Sequence, residues 1–260
     1  MLRSLYISKT GMNSSQFRLD VVTNNLANVN TTGFKKSRAV FEDLMYQTIR
    51  QPGSQSANNS QIPTGLMVGT GSAPVATDRI HSDGNMQNTE GSLDVAINGK
   101  GFFRVTLPDG STGYTRDGSF KLNSEGQLVT SNGYLLDPPI TVPAGSNKLV
   151  ISADGRVQVT AQGATEPTEL GIIQISDFIN PQGLESIGGN LYLETAASGA
   201  PITGDPNADG RGALKQGFLE ASNVNVTEEL INMIQAQRSF ELNSRGVKTS
   251  DEMLQRLSQL

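Results

Sequence analysis

The chain has 260 residues, with 20 Lys and Arg against 25 Asp and Glu, 28 glycines, a single histidine, and no cysteine or tryptophan. That length can bury a sizeable core, so size alone excludes little, but the lack of cysteine removes disulfides, thiolate metal sites and thiol nucleophiles. Basic and acidic residues number seven and three over 1–50, nine and 17 over 51–221, and four and five over 222–260, an acidic middle that argues against nucleic acid as a partner.

The opening MLRSLYISKTGMNSSQ contains no apolar run of signal-peptide length. No later stretch approaches the ~18 apolar residues of a membrane span, so no membrane insertion is expected. From Leu2 to Val29 there is no proline, and Leu5, Met12, Leu19 and Leu26 recur every seven residues, with Val22 and Val29 three residues further on. This period predicts a long amphipathic helix that stops at Asn30-Thr31-Thr32-Gly33. Only Arg3, Lys9, Arg18 and Asp20 carry charge along it, and the remaining faces hold Ser, Thr, Asn and Gln. A helix on an isolated surface normally carries more charge. An antiparallel pair of terminal helices within one chain would satisfy the heptads, but hydrogen-bonding side chains on the other faces favour packing among several copies.

Lys35, Lys36 and Arg38 form the one basic knot and read as a solvated turn. Residues 51–77 are rich in Ser, Asn, Gln, Gly and Pro and predict an extended loop or weak hairpin. Strands are predicted at Leu93–Ile97, Gly101–Leu107, Gly113–Thr115, Ser119–Leu122, Gln127–Thr130, Tyr134–Leu136, Lys148–Ile151, Arg156–Thr160 and Leu170–Ile175. Turn dipeptides such as Asn98-Gly99, Asp109-Gly110, Asp117-Gly118 and Asn132-Gly133 separate them, giving an antiparallel β domain. Ala196–Gly212 reads as a second irregular stretch. Val226, Met233, Phe240, Val247 and Leu254 then repeat every seven residues, supported by Leu230, Ile234 and Leu257, with Asn225 as N-cap and Glu228 in the first turn.

The fold class expected is α+β: long N- and C-terminal helices forming a coiled-coil-like layer, an antiparallel β-rich middle, and extended linker segments. Residues 1–33 and 222–260 make the helical domain, 34–92 and 196–221 the connecting region, and 93–195 the outer β domain. No residue is assigned a catalytic, cofactor-binding or metal-binding role. His81 is the only histidine and lies in a turn-like stretch, too little for a metal site or a catalytic triad. Asp205-Pro206-Asn207-Ala208-Asp209-Gly210 matches the first half of a calcium loop, but its twelfth position is Gln216 where a bidentate Glu is needed, so a plain turn is favoured. Gly99-Lys100-Gly101 and Gly69-Thr70-Gly71 complete no phosphate-binding motif. No carboxylate pair stands out for glycoside cleavage.

Three segments carry a resemblance. Asn24-Asn25-Leu26-Ala27-Asn28-Val29-Asn30-Thr31-Thr32-Gly33-Phe34-Lys35 and Ser222-Asn223-Val224-Asn225, the latter followed by Glu228–Ile234, resemble the terminal signatures of the flagellar axial family of rod and hook proteins. Leu93–Phe103 with Tyr114–Phe120 is similar to the β domain of that family. Asn24, Asn25, Asn28, Asn30, Gly33, Phe34, Ser222, Asn223 and Asn225 are the motif positions. The modest length and the insertion around Gln51–Leu66 fit a rod member better than the longer hook protein.

The resemblance implies a non-enzymatic subunit that polymerises helically with itself around an export channel, in a periplasmic rod of the flagellar basal body. It also implies contacts with other rod and hook proteins and with a surrounding ring that acts as bushing, and export by the flagellar type III apparatus without a cleaved signal peptide. The subunit interface is expected to use Leu5, Met12, Leu19, Val22 and Leu26 with Val226, Leu230, Met233, Phe240, Val247 and Leu254. Competing readings are a proximal rod or hook-type protein, a β-rich glycan-binding surface protein, and a coiled-coil regulator. The last two do not explain heptads at both ends together with a large acidic β insert.

Overall fold

The computed structural model describes residues 2–53, 55–57, 60–61, 63–143, 145–161 and 166–258. Its contacts divide the chain into two compact units. The first comprises residues 1–27, 37–78 and 225–260, and the second residues 28–36 and 79–224.

Unit one holds two helices, α1 (Leu2–Ala27) and α2 (Val226–Ser258). At ~1.5 Å per residue each is at least about 40 Å long. Asn225 caps α2, its side-chain oxygen accepting from the amides of Thr227 at 3.0 Å and Glu228 at 3.4 Å. Glu228 and Glu229 sit in the first turn, where carboxylates meet the positive end of the helix dipole. The expected stop at Gly33 comes later than the observed one, because α1 ends at Ala27 and gives way to turns. Unit one also holds a strand pair, Ser37–Asp43 with Ser72–Arg79, and an antiparallel ladder of Gln47–Arg50 with Leu66–Val68. The stretch read as loop or weak hairpin is thus partly a hairpin, although Ser54, Asn58, Asn59 and Ile62 lie outside the described residues.

Unit two is the antiparallel β domain. Phe102–Thr106 lies inside a nine-stranded sheet, paired with Thr112–Thr115, Leu135–Leu136 and Ile175–Asp177. A three-stranded sheet is built from Ser146–Ile151, Arg156–Ala161 and Thr168–Ile172. The segment predicted as one strand, Leu170–Ile175, therefore divides between two sheets. Val95–Asn98 pairs with Ala213–Gln216, and Met86–Asn88 pairs with Phe218–Glu220.

Successive side chains on a strand point to opposite faces. Phe103 enters a cluster with Val95, Ile97, Phe120, Leu128, Leu136 and Ile175, while its neighbour Phe102 enters another with Tyr114, Phe178 and Tyr192. Gly118 is needed for sterics, since a Cβ there would overlap the Val95 carbonyl oxygen. Among the described residues, Val22 and Ala236 are the fully buried apolar side chains of unit one; the rest of that class belong to unit two. No helix among the described residues is long and apolar enough to cross a membrane.

Candidate self-assembly surface

In unit one, α1 and α2 run antiparallel, as their contacts show. Ser4 Oγ lies 3.2 Å from Ser250 Oγ, Arg18 donates to Asn232 Oδ1 at 3.4 Å, and Asn25 donates to Glu229 Oε2 at 3.3 Å. Gly246 faces Ser8, and Gly11 faces the Asn243 amide so closely that a Cβ would come within 2.8 Å of it. Along α1 this seam steps through Ser4, Ser8, Gly11, Ser15, Arg18, Val22 and Asn25, alternating intervals of four and three. Most of these residues are small or polar, so the helix backbones approach closely.

The apolar heptad residues flank the seam. Val22 is buried; Leu5, Met12, Leu19, Leu26, Met233, Phe240, Val247 and Leu254 are half-buried; Val226 and Leu230 are exposed. Tyr6, Ile231, Ile234, Leu242 and Met253 add further exposed apolar surface to the helices, and Met45, Tyr46, Ile49, Leu66 and Met67 add it to the hairpin. Large apolar side chains are thus left in water on both helices and on one hairpin, a pattern typical of surfaces that associate.

The motif asparagines mostly hold the chain in place. Asn25 is buried at the end of α1, donating to Ser37 O at 2.8 Å and accepting from Ser37 N at 2.9 Å, which ties α1 to the first strand and to Glu229 of α2. Asn28 accepts from Thr31 Oγ1 at 3.2 Å, and Ser222 Oγ accepts from Val224 N at 3.4 Å. In unit two, Asn223 accepts from Lys36 N at 2.7 Å and donates to Ile80 O at 2.8 Å. Phe34 is buried, Asn24 is exposed with a bonding partner, and Asn30 is exposed. Gly33 has φ +67°, and a Cβ on it would sit 2.7 Å from the backbone of Arg116 and Asp117. Its glycine therefore serves a tight turn in unit two, with its amide bonded to Glu220 O at 2.8 Å, and does not cap α1.

The basic knot is not a solvated turn at its first position. Lys35 is fully buried, its ammonium 2.5 Å from Glu220 Oε1 and 2.7 Å from Ser82 O. Arg116 reaches Glu220 Oε2 at 3.4 Å. Burial, and next the Arg116 charge, hold the Lys35 pKa below its ordinary value, with Glu220 opposing. Arg38 is exposed and pairs with Asp78 at 3.1 Å.

In the calcium-like loop, Arg211 donates to Asp205 O at 3.0 Å and to Asp209 Oδ2 at 2.9 Å, so two of the loop's oxygens already pair with a guanidinium. No group of three or more His, Asp or Glu positioned to hold a metal occurs among the described residues.

Comparison with known proteins follows this architecture. Residues 5–35 match the family model described as flagella basal body rod protein. Residues 96–159 match the flagellar hook protein FlgE/F/G D1 domain, and residues 215–260 the flagellar basal body rod FlgEFG protein C-terminal model. The chain is 55% identical to the flagellar basal-body rod protein FlgG of Buchnera aphidicola subsp. Acyrthosiphon pisum, over all of both chains. It is 50% identical to the FlgG of Borreliella burgdorferi, over 98% of this chain and 97% of that one. It is 45% identical to the FlgG of Bacillus subtilis, over 100% and 99%. The chain belongs to the flagellar rod and hook protein family. Within that family it is a structural subunit of the basal-body rod, not an enzyme.

Proposed function

We propose that this chain is the distal rod subunit, assembling helically into a hollow drive shaft that encloses the export channel and transmits torque. The observation that carries the reading is the poverty of unit one's own core: two long helices and a hairpin hold two fully buried apolar side chains among the described residues. Helices so poorly buried gain little stability as a monomer and are completed by neighbouring copies.

In this reading residues 1–33 and 222–260 form the inner tube with coiled-coil-like pairing, 34–92 and 196–221 connect, and 93–195 lie outside. Leu5, Met12, Leu19 and Leu26, with Val226, Leu230, Met233, Phe240, Val247 and Leu254, complete their burial against sibling subunits, and Val22, also assigned to the interface, is already buried within the subunit. The subunit is exported by the type III apparatus without a cleaved signal, sits in the periplasm, and turns inside ring proteins that act as its bushing.

Leu26→Asp and Phe240→Asp are expected to abolish polymers seen by electron microscopy and sedimentation, while the thermal transition of unit two is unchanged. Wild-type polymers from both variants would refute the packing scheme. Gel filtration of residues 34–221 against the full chain is a second arm, in which only the full chain is expected to self-associate.

The segment around Gln51–Leu66 is assigned to contacts with adjacent subunits that keep the axle straight. Its deletion is expected to give bent or overlong polymers, and straight rods of ordinary length from the deletion would dismiss the assignment.

A further inference from the structure

Unit two begins and ends in three short stretches: the run up to Lys36, the run that resumes at Arg79, and the last strand, Phe218–Glu220, with the residues after it. Backbone and side-chain bonds lace the three together. Ile80 N donates to Lys36 O at 2.9 Å, and Ala221 N to Asn85 O at 2.8 Å. Gly84 N donates to Glu220 Oε1 at 2.8 Å. At the centre lie Lys35, Arg116 and Glu220, whose side chains are at most 2% exposed. Two cations therefore share one buried carboxylate.

His81 stands against this cluster. Its ring meets Phe102 edge-on at 5.5 Å and Tyr192 at 5.8 Å. The same two rings carry guanidinium groups, Arg116 over Phe102 and Arg79 over Tyr192, each at 5.3 Å. Both ring nitrogens are buried, and neither makes a well-formed hydrogen bond among the described residues, the Pro181 carbonyl being the one backbone acceptor that acts on the ring. The charged groups acting on the ring are Lys35, Arg116 and Arg79, all positive, while the carboxylates of the cluster, Glu220 and Asp83, act on Lys35. Both carboxylates are already engaged, Glu220 by Lys35 and Arg116, and Asp83 by Arg116 at 3.9 Å. Among the described residues, no carboxylate acts on the His81 ring to offset those three cations.

We propose that His81 and the Lys35, Arg116 and Glu220 cluster form a proton-sensitive lock at the root of the β domain: neutral His81 keeps the three stretches closed, and its protonation opens them. Protonation would add a further positive charge to a dry, aromatic-walled site that already holds an excess of cations. Burial, followed by the charges of Lys35, Arg116 and Arg79, lowers the His81 pKa to about 4, and the Pro181 backbone, which pulls the other way, is outweighed.

The sign follows from linkage. A base whose pKa is depressed by folding contributes its full stabilisation above the unfolded value of 6.5, and this is lost as pH falls toward about 4. At pH 5 the folded-to-unfolded ratio is expected to be about 20-fold lower, from this ring alone, than at pH 7. Acid thus loosens the root before it loosens the sheet.

His81 is the only histidine of the chain, so its labelled imidazole gives a single nuclear magnetic resonance signal in the full-length protein. In the closed chain that signal is expected to stay neutral through pH 5, protonation being confined to the opened form. Protection factors at Gly33, Ile80 and Gly84 are expected to fall between pH 7 and pH 5 ahead of those in Phe102–Thr106. His81→Phe, which fills the aromatic cage without a titrating group, is expected to remove that share, about 20-fold, of the pH dependence of unfolding. An imidazole titrating at about 6.5 or above in the folded chain would overturn the proposal, whether or not the variant folds. So would a folded His81→Phe variant with the wild-type pH profile, or uniform protection loss across unit two.

Discussion

Replacing Glu220 with Gln is expected to cost unit two about 3–5 kcal/mol at neutral pH, the range measured when one member of a buried ion pair is removed. The magnitude follows from what is left behind. Lys35 and Arg116 would remain buried with the one carboxylate between them gone, and the amide oxygen of Gln cannot neutralise either cation. Such a loss is a large fraction of the ~5–15 kcal/mol that holds an ordinary domain together. Lys35→Met should cost less, because it leaves Glu220 and Arg116 as a one-to-one pair and removes the cation whose ionisation burial already disfavours.

The Glu220→Gln defect should also shrink in alkali. The Lys35 pKa is lowered on folding, so the unfolded chain binds more protons as pH approaches the ordinary lysine value of 10.5, and stability rises with pH in that window. With Glu220 gone, the factor raising that pKa is removed and the window widens downward. Chemical denaturation of the two single variants and the double variant, followed by a signal specific to the β domain, gives the coupling. Equal losses from the two single variants, or a Glu220→Gln loss below 1 kcal/mol, would contradict a shared buried carboxylate.

This cluster also marks where the sequence stops being readable. Helices α1 and α2 are visible because apolar residues repeat with the helical period over 26 and 33 residues, and the N-cap at Asn225 is a local signal. The strands from Val95 to Ile172 are visible because glycine-bearing turns separate short runs. Lys35 was misread because its partner Glu220 is 185 positions away, and one sequence offers no means of pairing them. Next to Lys36 and Arg38, Lys35 has the look of a solvated cation, yet only its neighbours face water. Gly33 was misread for a related reason. Its left-handed backbone is real, but the demand for it comes from the Arg116 and Asp117 backbone and the Glu220 carbonyl, not from a helix end.

The helix seam is not legible in the sequence because small residues at the same period carry no hydrophobic signal. Ser4, Gly11, Arg18 and Asn25 step along α1 one position before Leu5, Met12, Leu19 and Leu26, so the two stripes run side by side. Hydrophobicity advertises the stripe with large side chains. Close approach of two backbones depends on the stripe without them. The helix residues singled out in unit one therefore fall in two sets: small ones that meet the chain's own second helix, and large ones left half-buried or exposed at its flanks.

That separation makes Gly11→Leu the most damaging single change expected in the helices. A Cβ at Gly11 already falls 2.8 Å from the Asn243 side chain, and three further carbons have no room unless α1 and α2 part. Overpacking of this kind costs ~1–3 kcal/mol in a well-built core. Unit one has little in reserve to absorb it, since its fully buried apolar side chains among the described residues are Val22 and Ala236. Moving the helices apart also displaces Met12 and Phe240 together, so the surface offered to a second copy loses its shape. Assembly is therefore expected to vanish, while the β domain keeps its transition.

Gly11→Ala separates sterics from the mere loss of a glycine. The Asn243 amide is the far end of a flexible side chain and can turn away from one methyl group, and alanine favours a helix interior by ~1 kcal/mol over glycine. That variant should polymerise as wild type or better, measured by sedimentation and electron microscopy under identical conditions. If Gly11→Leu also polymerised normally, the helices would not be held at the distance their small residues allow. The apolar flanks would then have to assemble by a different packing of α1 on α2.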